Sequence, residues 1–131
     1  MSLGAHKVVA STDSKALKAI AGTLDFLLVT ASADLDWNAM LATLRGKGRL
    51  HFVGIVPNAI PTHVFSLIPQ QKSLSGSPVG SPSSMATMLE FCARHQILPQ
   101  VEHFPMSQVN AALDHLRAGK ARYRVVLDAS R

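Results

Sequence analysis

The sequence predicts an α/β domain: a three-layer arrangement with a mostly parallel sheet of about four strands flanked by helices. Three observations predict it. Strand-like and helix-like segments alternate from the N-terminus to about His95, the order produced by parallel strands joined through right-handed crossovers. The run Phe26-Leu27-Leu28-Val29-Thr30 is apolar without alternation, which suits a strand covered on both faces. The 131 residues, 47% hydrophobic and 16% charged, suffice for one core and lie far from the composition of disordered chains.

The elements follow in order. Lys7-Val8-Val9-Ala10 is a short β-branched run, and Ser11-Thr12-Asp13 offers side-chain oxygens to the free N–H groups of a helix that carries Ala16, Leu17 and Ile20 on one face and stops at Gly22. The strand at Phe26 comes next. Trp37, Met40, Leu41 and Leu44 then repeat at helical spacing, with Asp34 or Asp36 as cap and Gly46 and Gly48 closing the helix. Arg49 to Val56 reads as a strand with Gly54 near its end, where something must approach the backbone closely. Val64 to Ile68 suits a short helix before Pro69, and Lys72 to Ser77 a further strand.

A longer helix starts at Ser81 with Pro82 in its first turn, and the spacing of Met85, Met88, Leu89 and Cys92 places Cys92 in a core. Val101 to Phe104 suits a strand. Ser107 is the expected cap of a helix carrying Val109, Ala112, Leu113 and Leu116, which ends at Gly119 before a closing strand from Tyr123 to Leu127. The Ser/Gly/Pro-rich stretch from Ser73 to Ser84 reads as a loop within the domain.

Several functions are disfavoured by composition. Thirteen Lys and Arg against eight Asp and Glu give a formal charge of +5, which favours anionic ligands, but the cations are scattered and aromatics are 5%, unlike a nucleic-acid surface. A single Cys92 makes neither an internal disulfide nor a cysteine-rich zinc site, which points to a cytoplasmic address. No apolar run approaches the roughly 20 residues of a membrane span. The six histidines lack metal-binding spacing and read as surface or helix-end residues. Gly76-Ser77-Pro78-Val79-Gly80 has Pro78 where a nucleophile elbow needs serine.

Ligands of parallel sheets bind at the carboxyl ends of the strands. Those ends are Ala10-Ser11-Thr12, Thr30-Ala31-Ser32, Val53-Gly54-Ile55-Val56 and Ser75-Gly76-Ser77, all small or polar, although strand-to-helix turns have that composition for capping reasons alone. Lys120, Arg122 and Arg124 cluster after the last helix. Alternate strand residues there could aim two guanidiniums at one anion, or simply sit favourably at a helix C-terminus on a solvated strand. The residues alone lead as far as a nucleotide-sized ligand on an α/β sheet.

The ordered segments also resemble the second half of zinc-dependent medium-chain alcohol dehydrogenases, close to the cinnamyl alcohol dehydrogenase-like aldehyde reductases. Leu3-Gly4-Ala5-His6-Lys7-Val8-Val9 resembles the family's "LGAD-x-VV", Leu24-Asp25-Phe26-Leu27-Leu28 its "LD-x-(I/L)", and Gly48 with Val53-Gly54 its "KG…VG". Ser75 to Ser81 resembles "SGS-x-x-G", and Met88-Leu89-Glu90-Phe91 resembles "ML-x-F". Pro105 to Leu113 with Gly119 to Leu127 resembles the closing "PM-x-x-(V/I)N-x-A…GKARYRVVL", the most specific part.

The resemblance implies that residues 1–98 are the second half of a Rossmann-like NAD(P)-binding domain and that 99–131 form a strand-helix-strand tail. It implies coenzyme contacts at Thr30 and Ala31, at Val53, Gly54 and Ile55 near the nicotinamide and its ribose, at Ser75, Gly76 and Ser77 near the carboxamide, and at Arg122. NADP is the implied coenzyme, and a homodimer through Leu74 to Val79 or the last strand the implied assembly. The family's zinc ligands, Gly-rich turn and coenzyme selector would precede the first residue. A fragment without turnover is therefore expected, its rivals being a scaffold that reuses half a Rossmann fold and a small nucleotide-binding regulator.

Overall fold

The computed structural model describes residues 4–129. It divides after Val79 into two compact units, each with its own sheet. Leu3 of the first resembling motif lies outside the described residues.

In the first unit, helix α1 (Ser14–Ala19) starts where expected: Asp13 accepts from Ala16 N–H at 2.9 Å. Strand β1 (Leu24–Val29), helix α2 (Trp37–Thr43), strand β2 (Leu44–Phe52) and strand β3 (Ser73–Gly76) follow. Two 3₁₀ turns, Val64–Ser66 and Ile68–Gln70, stand where a short helix was predicted, separated at Leu67. The sheet has the order β1-β2-β3 with both pairings parallel. Leu17, Val29, Trp37, Met40, Leu41, Leu44 and Leu50 form the core, so α1 and α2 cover the same side of the strands. Of the two candidate caps, Asp36 serves α2 by accepting from Ala39 N–H at 3.0 Å, while Asp34 accepts from the Asn58 amide.

Several expectations are corrected. Lys7 to Ala10 is not a strand: it has no ladder partner among the described residues, and Ala10 C=O instead closes a turn by accepting from Asp13 N–H. The β1 run is not covered on both faces, since Phe26 and Leu28 are each 51% exposed whereas Val29 is 5%. Helix α2 ends at Thr43 rather than at the glycines, because Leu44 pairs with Leu24 as the first residue of β2. The register then jumps to Phe26 opposite Arg49, extruding a bulge at Arg45–Gly48. Gly48 is needed there, since a Cβ would lie 2.9 Å from Arg45 O. β2 stops at Phe52 rather than Val56, four residues short of the predicted end, as pairing with β1 runs out at Val29.

The second unit holds helix α3 (Pro82–Arg94), strand β4 (Val101–Pro105), a 3₁₀ turn (Met106–Gln108), helix α4 (Val109–Arg117) and strand β5 (Arg124–Asp128). Strands β4 and β5 pair in parallel through the α4 crossover, so the parallel strands fall into sheets of three and two. Ser81 caps α3 with Pro82 in its first turn, as predicted. Cys92 is not a core residue: it is half-buried, its thiol 3.6 Å from Met88 Sδ, and no residue of α3 is fully buried. Ser107 caps nothing, because the 3₁₀ turn places Gln108 at the start of α4.

Candidate functional site

Parallel strands put their carboxyl ends on one rim of the sheet. In the first unit that rim carries eight of the nine residues singled out from sequence. Thr30 and Ala31 continue β1, Val53, Gly54 and Ile55 continue β2, and Ser75, Gly76 and Ser77 end β3.

Backbone contacts draw these ends together. Val53 N–H and Gly54 N–H both donate to Val29 C=O at 3.0 Å. Gly54 lies so close to the end of β1 that a Cβ would stand 2.6 Å from Ala31 O and 2.8 Å from Thr30 C and O. Only glycine allows that approach without moving main chain. Across the other seam, Ser77 N–H donates to Phe52 C=O at 3.1 Å, extending the pairing one residue past β3. At Gly76 a Cβ would meet Phe52 O at 3.4 Å, so its protein neighbours do not exclude a side chain. The result is a flat, largely main-chain floor whose residues are mostly open to solvent, Ile55 at 84%.

Sequence reasoning missed His51. It lies on β2 opposite Leu28 and Ser75. Its Nδ1 is 2.8 Å from Ser75 Oγ and its Nε2 is 2.9 Å from Ser77 Oγ. It therefore bridges two serines two residues apart on one face of β3, and Phe26 stacks beside its ring. Alternation along β2 was the available signal, since it puts His51 on the face opposite buried Leu50.

Arg122, the ninth residue, belongs to the second unit. Its guanidinium donates to the carbonyls of Gly119 and Ala121, so it folds back on its own loop. Glu102 of β4 fixes that loop: one carboxylate oxygen accepts from Arg122 N–H at 2.5 Å and the other meets His115 Nε2 at 2.6 Å. The Arg122 N–H, aided by His115, holds the Glu102 carboxyl below the usual carboxylate range.

A second concavity of about 300 Å³ lies beside the core, lined mainly by Val9, Leu17, Ile20, Leu24, Leu27 and Met40. It is apolar and away from the strand ends, so it lacks the convergent polar groups of a coenzyme site. Among the described residues no three His, Cys, Asp or Glu side chains gather. No helix among them is long and apolar enough to cross a membrane.

Known proteins resemble this chain along nearly its whole length. The aldehyde reductase AdhA of Synechocystis is 45% identical over all 131 residues, which correspond to 39% of its length. A cinnamyl alcohol dehydrogenase structure from Sorghum bicolor matches 98% of the chain with a TM-score of 0.88 and 32% identity, again over 36% of that protein. A Helicobacter pylori homologue solved with NADP(H) matches 82% of the chain, and 32% of its own, with a TM-score of 0.68 and 29% identity. The chain thus spans little more than a third of the relatives it matches. The family model described as zinc-binding dehydrogenase covers residues 1–94. With that match added to the parallel strands and their glycine-bearing rim, the chain belongs to the zinc-binding dehydrogenase family.

Proposed function

We propose that this chain supplies the second half of the coenzyme floor of an NADP-dependent, zinc-containing alcohol dehydrogenase or aldehyde reductase. The observation that carries the reading is the approach of Gly54 to Thr30 and Ala31, which levels the rim between two strand ends. Glycine there lets the two strand ends meet, so the rim on which a flat ring would lie is made by main chain. The family and the NADP(H)-containing homologue support the choice of ligand.

In the parent reaction the bound coenzyme gives or takes a hydride at its nicotinamide. The residues of the first unit would hold it: Val53, Gly54 and Ile55 under the ring and ribose, Thr30 and Ala31 beside them, and Ser75, Gly76 and Ser77 toward the carboxamide. The formal +5 charge favours that polyanionic ligand. The location we assign is the cytoplasm.

Titrating the labelled chain with NADPH is expected to move the amide resonances of Gly54, Gly76 and Ser77 together, while added zinc and alcohol yield no turnover. Unmoved resonances at saturating coenzyme would overturn the coenzyme reading and favour a scaffold. Turnover by the purified chain would refute the expected inactivity.

β3 is an edge strand among the described residues, its outer row of N–H and C=O groups without a strand partner there, which invites another chain. A homodimer formed through Leu74 to Val79, or through β5, follows from this reading. Sedimentation is expected to show mass doubling with concentration, and a monomer throughout the accessible range would reject it.

A further inference from the structure

We propose that His51 is a positioning residue that fixes which way the Ser77 hydroxyl donates, leaving its proton for a carbonyl acceptor on the coenzyme. The inference rests on the coenzyme reading of the strand ends.

A neutral imidazole has one N–H donor and one bare nitrogen acceptor, so the two serines it bridges cannot play the same part. One must accept from the ring and the other must donate to it. Ser75 is half-buried within β3, and its hydroxyl has no partner other than His51 among the described hydrogen bonds. Leaving its proton unsatisfied there would cost more than leaving the proton of Ser77, which is exposed at the end of the strand. The assignment that satisfies both is Ser75 O–H donating to Nδ1 and Nε2–H donating to Ser77 Oγ. Ser77 then keeps its own O–H for a ligand.

The surroundings hold this arrangement. The Phe26 ring lies alongside the imidazole, tilted 27° to it at 6.1 Å between centroids. The Ser77 backbone is independently tied to Phe52 C=O. Ser77 is therefore fixed at both its main chain and its oxygen, with one proton uncommitted at the rim that carries Gly54 and Gly76. The register places Arg49, opposite Ser73, on the same face of the sheet, one step back from His51.

Nitrogen-15 NMR of the labelled histidine is expected to show Nε2 protonated and Nδ1 bare in the neutral ring. In NADPH titrations, His51→Leu and Ser77→Ala should each weaken binding by about fivefold to tenfold, the scale of one hydrogen bond. The double variant should be no weaker than either single one, because both remove the same oriented donor. His51→Gln, which still offers a donor and an acceptor, should restore binding to within about twofold of the unaltered chain. A ring protonated at Nδ1, additive losses, or unaltered affinity in His51→Leu would each overturn the assignment. If the unaltered chain binds NADPH and His51→Leu binds equally well, this inference alone fails. If the unaltered chain binds none, the coenzyme reading fails and takes it along.

Discussion

Gly54→Val is expected to abolish measurable NADPH binding and to destabilise the first unit by about 1–3 kcal/mol, the usual range for forcing atoms into filled space. The obstacle is main chain, not a side chain that can swing aside: Ala31 O at 2.6 Å and Thr30 C and O at 2.8 Å from the new Cβ. Relief requires the end of β2 to lift from β1. That motion breaks the two hydrogen bonds that Val29 C=O accepts from Val53 and Gly54, and it steps the floor under the ring. Gly76→Ala is the matched comparison. Its Cβ would meet Phe52 O at 3.4 Å, so stability should hold while coenzyme affinity falls. Equilibrium unfolding and NADPH titration of both variants check this. Normal binding by Gly54→Val would remove the observation on which the proposed site rests.

Leu50→Ala should be among the most damaging truncations in the same unit, at about 2–5 kcal/mol, the range for emptying a fully enclosed leucine site. Leu50 is 0% exposed and sits in the central strand, among the core residues brought by α1, α2 and β1. A loss of that size is a large fraction of the roughly 5–15 kcal/mol that holds an ordinary domain together. Leu89→Ala on α3 removes the same atoms from a residue that is 59% exposed and should change stability by no more than about 0.5 kcal/mol. Urea midpoints measure the contrast. Equal shifts for the two would mean that burial does not rank these leucines.

The sequence was readable where a local rule and the packing agreed. Asp13, Asp36 and Ser81 cap helices because each side chain needs only the N–H three residues ahead. The apolar spacing of Trp37, Met40 and Leu41 reports one buried face, and the structure buries it. Reading failed where periodicity was mistaken for burial. Met85, Met88, Leu89 and Cys92 keep helical spacing, yet none is enclosed. Leu44 fits both the helix repeat and the strand ladder, and pairing with Leu24 decides in favour of the strand. Lys7 to Ala10 has strand-like residues, but a strand also needs a neighbour.

For the site, the small residues read from the sequence lie at the strand ends of the first unit. His51 escaped because its significance comes from residues 24 and 26 positions away, a relation that no local spacing displays. Of the Arg122 and Arg124 pair, Arg122 directs its Nη1 to the Gly119 and Ala121 carbonyls, a local contact that no spacing displays.

The Glu102 carboxylate has a bearing on how the last strand finds its place. Parallel pairing of β4 with β5 demands a long detour through α4, and ordering such a detour costs chain entropy. By grasping the amide of a residue 20 positions ahead, one side chain ties together the two ends of most of that loop. The start of β5 is thereby anchored beside β4, whose residues Val101 to Pro105 pair with Arg124 to Asp128.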